Sequence, residues 1–232
     1  MARLDLNGIN LDDKRNARSI LADFVTLRAE EVSEKKGFTY FATADAPATY
    51  KQLVDAYNMS VADGDMFPVL SEFCENTIYG SEETNMALRF YHDMTHHDSG
   101  LSFRMEDEMK LAQIHVGELS DCGVGKLSLP SRMLYADLAG AQLVYHLSGR
   151  YIENQEEFID DAVHNGLMHA VINEIKGGTS SSFLTDESAD PALLKLILTG
   201  DRNAHEMIMT DSDHEDSTIR QRIARGEQVT DL

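Results

Sequence analysis

The run Tyr91-His92-Asp93-Met94-Thr95-His96-His97-Asp98 carries three histidines and two aspartates within seven residues. His92 and His96 are four apart, so on a helix they stand one above the other on one face. That spacing lets two imidazoles bind one metal ion. Asp93 is the candidate catalytic group, placed to orient a ring or to take a proton. His97 points about 100° away from that face on a 3.6-residue period, and it forms a second tier with Asp98. A polar helix end would use the same residues, because cationic rings are favourable near the last carbonyls.

Further ligands are sought on neighbouring segments. The connection between Asp98 and Phe103 is short, so the segments on either side are expected to be antiparallel helical neighbours. Glu108 then lies by the same turn as His96 and is the expected third ligand. His115 shares the face of Glu108 but sits about two turns deeper, where a buried histidine bonded to a carbonyl is an equal expectation. Asp137 lies among Met133, Leu134, Ala136, Leu138 and Ala139. A carboxylate there is costly unless paired or metal-bound, so Asp137 is the expected fourth ligand. Asp161 and His164 repeat the Asp-x-x-His spacing of Asp93 and His96. Paired acid-x-x-His units hold two metals in ferritin-like proteins, with early carboxylates such as Glu30, Glu31, Glu72 or Glu75 completing the set. The expected cofactor is a divalent ion, namely zinc, manganese or iron.

Composition bounds what such a site can serve. The 232 residues carry a formal net charge of −20, and 42% are hydrophobic. That charge repels nucleic-acid backbones and anionic membranes, so neither is expected as a direct partner. Arg89, Arg104, Lys110 and Arg132 are close enough in sequence to the candidate ligands to bind a phosphorylated small molecule. With only Cys74 and Cys122, a disulfide framework or thiolate zinc site is not expected. No secretory leader or membrane span is legible, and a cytoplasmic location is the expectation.

Few prolines and abundant Ala, Leu, Met and Glu favour helix. Apolar periodicity predicts helices from Asp12 or Asp13 to Glu34, over Thr49–Met59, Glu82–His97 and Arg104–Leu119, from Pro130 to Leu147, and over Gln155–Ile175. Phe38–Thr43 reads as a short strand or extended segment. Residues 60–80 read as irregular chain covering the next helix. The predicted fold is all-α, a multi-helix bundle over 1–176 with a loop-rich N-terminal cover. A linker over 177–189 follows, rich in Gly, Thr and Ser, and then a short, helical, acidic C-terminal appendage over 190–232.

Several motifs carry a resemblance. Ile78-Tyr79-Gly80-Ser81, then Arg89-Phe90-Tyr91-His92-Asp93 with His96, Gly100 with Phe103 and Glu108, and finally Asp137 and Gln142 resemble a set of uncharacterised accessory proteins of tailed bacteriophages. The likeness covers roughly residues 66–160. It implies a role in the host cytoplasm and treats His92, Asp93, His96, Glu108 and Asp137 as one unit. The His-Asp pairs are also similar to those of HD-type metal phosphohydrolases, but no histidine precedes His92 to complete that pattern. His92-Asp93-x-x-His96 is similar to a zincin motif with Asp in place of the catalytic Glu, which argues against a protease.

Three functions remain open on these residues. One is a metal-dependent hydrolase acting on a small phosphorylated substrate such as a nucleotide. Another is a non-haem iron oxygenase or oxidase of ferritin-like type. The third is a non-enzymatic acidic protein that binds and blocks a host protein.

Overall fold

The computed structural model describes residues 4, 6, 8–72, 77–152 and 154–177. Those residues form a mostly helical structure, with one two-stranded sheet. Residues Met1–Gly177 make up one compact unit. Beyond Gly177, the expected linker and the appendage lie outside the described residues.

Helix α1 spans Lys14–Lys36. Asp13 caps its start by accepting from the Asn16 amide, and Gly37 ends it in the left-handed conformation. Ile20, Leu21, Phe24 and Val25 form its buried stripe. Strand β1 (Tyr40–Thr43) leads into α2 (Tyr50–Asp63), whose first turn is closed by a reciprocal Thr49–Gln52 capping box. Strand β2 (Phe67–Leu70) then pairs with β1 in parallel, with Tyr40 opposite Phe67 and Thr43 opposite Leu70. This corrects the expectation of irregular chain over 60–80. Phe67 and Val69 alternate inward at the strand period, but Pro68 between them disguises the pattern.

Helix α3 (Glu82–Ser99) starts at a Ser81 cap and carries Glu82 and Glu83 in its first turn, where carboxylates suit the helix dipole. It stops at Gly100, whose φ of 63° closes the turn. Helix α4 (Met105–Asp121) begins after a short connection. There Asp107 reaches back to accept from both the amide (3.0 Å) and the hydroxyl (2.8 Å) of Ser102. Helix α5 (Leu129–Ser148) has Pro130 in its first turn and Gly149 at its end.

The single helix expected over Gln155–Ile175 is two. Helix α6 (Gln155–Asn165) ends at Gly166 and α7 (Leu167–Gly177) starts beyond it. Gly166 has φ 100° and ψ 149°, a conformation open essentially to glycine alone.

Helix α5 is the organising element. It packs on α1, α4, α6 and α7, while α1 also packs on α3, and β2 lies against α3. Gly140 of α5 lets Phe158 and Leu167 come in close. A β-carbon built there would lie 2.6 Å from the Phe158 ring. No helix among the described residues is long and apolar enough to cross a membrane.

Candidate metal centre

The turn at Gly100 prepares the site. Beyond it the chain doubles back, and the Leu101 amide donates to the His96 carbonyl at 3.1 Å. The Leu101 carbonyl in turn accepts from the His96 ring at Nδ1, 3.0 Å away. A carbonyl only accepts, so the proton is on Nδ1. In the neutral ring, Nε2 then presents a lone pair.

Helices α3 and α4 run antiparallel here, since His96 meets Glu108, His92 meets both Glu108 and His115, and Tyr91 meets Glu118. The Nε2 atoms of His92 and His96 are 3.1 Å apart. Glu108 offers one oxygen to each ring, at 3.2 Å from His92 Nε2 and 3.4 Å from His96 Nε2. Among the described residues, His92, His96 and Glu108 are the group whose ligand atoms could hold one metal ion. Nitrogen and oxygen ligands about 2.0–2.1 Å from a tetrahedral zinc stand roughly 3.3 Å apart. The three separations match that edge length. They also suit hydrogen bonds, so either an ion or a shared proton fits between these atoms.

Burial distinguishes the three. His96 is fully buried, Glu108 is 4% exposed, and the His92 side chain keeps 16% of its surface accessible. Of the three, His92 is the side chain that is partly open to solvent. Burial favours the neutral His92 ring and holds its pKa below the ordinary value, although the Glu108 carboxylate pulls the other way. Burial also works against the Glu108 carboxylate, but the facing His92 and His96 rings, which favour its charged form more as they gain protons, overcome it and bring its pKa to about 2. The group thus pairs an ionised carboxylate with basic nitrogens, which is a donor set for a divalent ion.

Asp93 is partly buried and follows His92 on α3. Desolvation raises its pKa to about 7, and the Glu108 charge adds to this while His96 and Arg89 oppose it. A carboxyl group poised near neutrality suits proton transfer.

The remaining sequence candidates have other partners. Both Asp137 oxygens are taken, one by the Tyr79 hydroxyl at 2.5 Å and the other by the Gln155 amide. The structure does not bring Asp137 into the three-residue group. His97 stacks on Tyr57 with ring centroids 3.6 Å apart, and Asp98 binds Lys35 and Lys36. Asp161 bonds to Asn165, His169 and Asn173, and the His164 ring donates to the Asp160 carbonyl at 2.7 Å. These two do not join the group either. Glu31 pairs with Arg28, and Glu75 lies outside the described residues.

The four candidate cations also divide. Arg89 donates to the carbonyls of Leu70 (2.6 Å) and Glu72 (2.7 Å), locking the end of β2 onto α3. Lys110 pairs with Asp107 at 2.9 Å. Arg104 occupies the cap position of α4, one turn before Glu108. Arg132 donates to the Val163 carbonyl and lines a separate groove of about 530 Å³ with Lys126, Tyr135 and Leu167.

Sequence reasoning missed four residues around these sites. Glu118 and Arg28 stand behind His115, with Arg28 bonded to Glu118 at 2.6 Å. Tyr79 and Gln155 hold Asp137. Glu118 gave a local signal, as an acid three residues after His115 on the same helical face, and Tyr79 stood in the same motif set as Asp137 without a role.

Comparison of the chain with protein-family models, curated proteins and solved structures gives no match.

Proposed function

We propose that this chain is a metal-dependent hydrolase built on a helical bundle, with one divalent ion held by His92, His96 and Glu108. The observation that carries this reading is the triangle of ligand atoms with edges of 3.1, 3.2 and 3.4 Å. Three protein ligands leave coordination positions for water and substrate, and the ion would lower the pKa of a bound water to near 7. Asp93 is the group that would take a proton from that water. A small phosphorylated substrate, such as a nucleotide, is the substrate class, with Arg104 at the cap of α4 and Lys110 on that helix as the cations nearest Glu108 in sequence. The protein would work in the cytoplasm, of a host cell if a phage encodes it.

Two histidines and one carboxylate are also the ligand set of mononuclear non-haem iron oxygenases. That chemistry keeps the oxygenase as a second reading, now with one iron rather than two.

Metal analysis of the purified protein, followed by phosphate-release assays on phosphomonoesters and nucleotides with each metal, tests both. Zinc or manganese at one per chain, with turnover lost in Asp93→Asn at unchanged metal content, supports the hydrolase. Iron with oxygen consumption supports the oxygenase. A metal-free protein that rejects added ions would overturn both and leave the acidic blocker.

A further inference from the structure

The strongest unexplained feature is a buried atom without a partner. His115 is fully buried, and its Nδ1 makes no hydrogen bond although Glu118 Oε2 lies 3.5 Å away. Its other nitrogen, Nε2, is 3.1 Å from His92 Nδ1. A run of side chains therefore leads from the candidate metal position through His92 and His115 to Glu118. Arg28 holds Glu118 from one side at 2.6 Å, and the Tyr91 hydroxyl holds it from the other.

Each neutral imidazole has one N–H and one lone pair, so this run has a direction. His96 spends its N–H on the Leu101 carbonyl, leaving a lone pair on Nε2. Without an ion, His92 must carry its proton on Nε2, where His96 Nε2 at 3.1 Å and Glu108 Oε2 at 3.2 Å are the acceptors. Its Nδ1 then carries a lone pair and accepts from His115 Nε2–H. That leaves a lone pair on His115 Nδ1, facing a carboxylate. The bare Nδ1 is what this direction requires.

An ion reverses the direction, because it needs the lone pair of His92 Nε2. The His92 proton must then be on Nδ1, where it is donated to His115 Nε2. His115 must carry its own proton on Nδ1, where Glu118 Oε2 is the acceptor. Each ring holds one proton before and one after, so the pair neither gains nor loses a proton.

On the reading of His92, His96 and Glu108 as a metal site, we propose that His115 and Glu118 are positioning residues that set the tautomer of His92. Ion binding turns both rings from Nε2–H to Nδ1–H and gives the bare His115 Nδ1 its partner. Neither residue is a ligand. Their effect is to orient His92 and make its Nε2 a stronger donor, as outer carboxylates do for metal-bound histidines.

The test uses the full chain with 15N-labelled imidazoles. Long-range proton–nitrogen spectra are taken at about pH 8, where ordinary histidines are neutral, with and without one equivalent of zinc. Zinc affinities of the wild type, Glu118→Gln and His115→Phe are measured by competition with a chromophoric chelator. The expected result is one bound zinc and a change from Nε2–H to Nδ1–H at both His92 and His115. Affinity should fall roughly 10–100-fold in His115→Phe and about tenfold in Glu118→Gln. If zinc binds and His92 responds while His115 keeps its Nε2–H pattern, the positioning role is overturned and the metal site stands. Unchanged affinity in Glu118→Gln overturns the part assigned to Glu118. If the wild type binds no zinc, the metal reading and the positioning role fall together. The spectra need only the wild type, so a His115→Phe variant that does not fold leaves the decision intact.

Discussion

His92 Nε2 and His96 Nε2 stand 3.1 Å apart, one helical turn from each other on α3. Two nitrogen lone pairs at that distance repel unless a proton or a cation lies between them. The turn at Gly100 fixes the His96 ring, and α4 brings Glu108 against both. The site is thus defined by what must fill it.

Glu108 links this site to acid stability. Its pKa in the folded chain, about 2, is below its ordinary value of 4.5. Its contribution to stability is therefore complete above about pH 4.5 and is lost as pH falls toward 2. In chelator, Glu108→Gln should flatten the decline of melting temperature across that window. With zinc added and no chelator, the variant should bind the ion more weakly than the wild type. Circular dichroism melts from about pH 2 to 6, with metal analysis, check both. A Gln variant with full metal content would remove Glu108 from the ligand set.

Asp137 gives the opposite sign. Burial raises its pKa to about 6 from the ordinary 3.8, against hydrogen bonds from Tyr79 and Gln155 and the charge of Arg89. The folded chain holds this proton more tightly than the unfolded chain. Stability from this group is full below about pH 3.8 and declines as pH rises to about 6. Asp137→Asn removes that decline, which is worth up to about 3 kcal/mol for roughly two pKa units. Urea midpoints at about pH 4 and pH 7 should show the variant gaining on the wild type at the higher pH. Its affinity for added zinc should equal that of the wild type. A loss of bound zinc would restore Asp137 to the metal site.

Gly140→Ala sets two effects against each other. Alanine favours a helix interior over glycine by about 1 kcal/mol. Its β-carbon would, however, stand 2.6 and 2.7 Å from Phe158 ring carbons and 2.9 Å from Leu167 Cδ1. Carbon atoms pack at about 3.5–4.0 Å, and overpacking a core costs about 1–3 kcal/mol. Phe158 is only 3% exposed and has little room to move away. The net expectation is a loss of about 1 kcal/mol, read as a lower denaturation midpoint. A more stable variant would show that α6 and α7 yield readily.

Local periodicity made α3 and α4 legible, and the short connection between them pointed to Glu108. The same periodicity gave α1, α2, α5 and β1 to within a few residues; what local pattern did not give is which partners distant in sequence meet. Nothing near Asp137 signals Tyr79, which lies 58 positions away. The Asp161–His164 spacing is real, but Asp161 turns to His169 on α7 instead. The break at Gly166 was hidden because apolar residues continue on both sides of it. Pro68 likewise hid β2, since proline tolerates a strand position only where its missing N–H is not needed. Glu118 was readable as a neighbour of His115. Its value depends on the side of α4 that faces α3, which no local pattern gives.

All three candidate ligands fall between positions 92 and 108, on the two helices that flank the Gly100 turn. Closing so short a loop costs little chain entropy, and contacts of low sequence separation form early. An ion caught by these side chains would tie α3 to α4 before β1 finds β2 or α1 finds α5. The order of assembly would then depend on when the metal arrives. A chain made in metal-poor conditions would have to bring those helices together around three buried polar groups unaided.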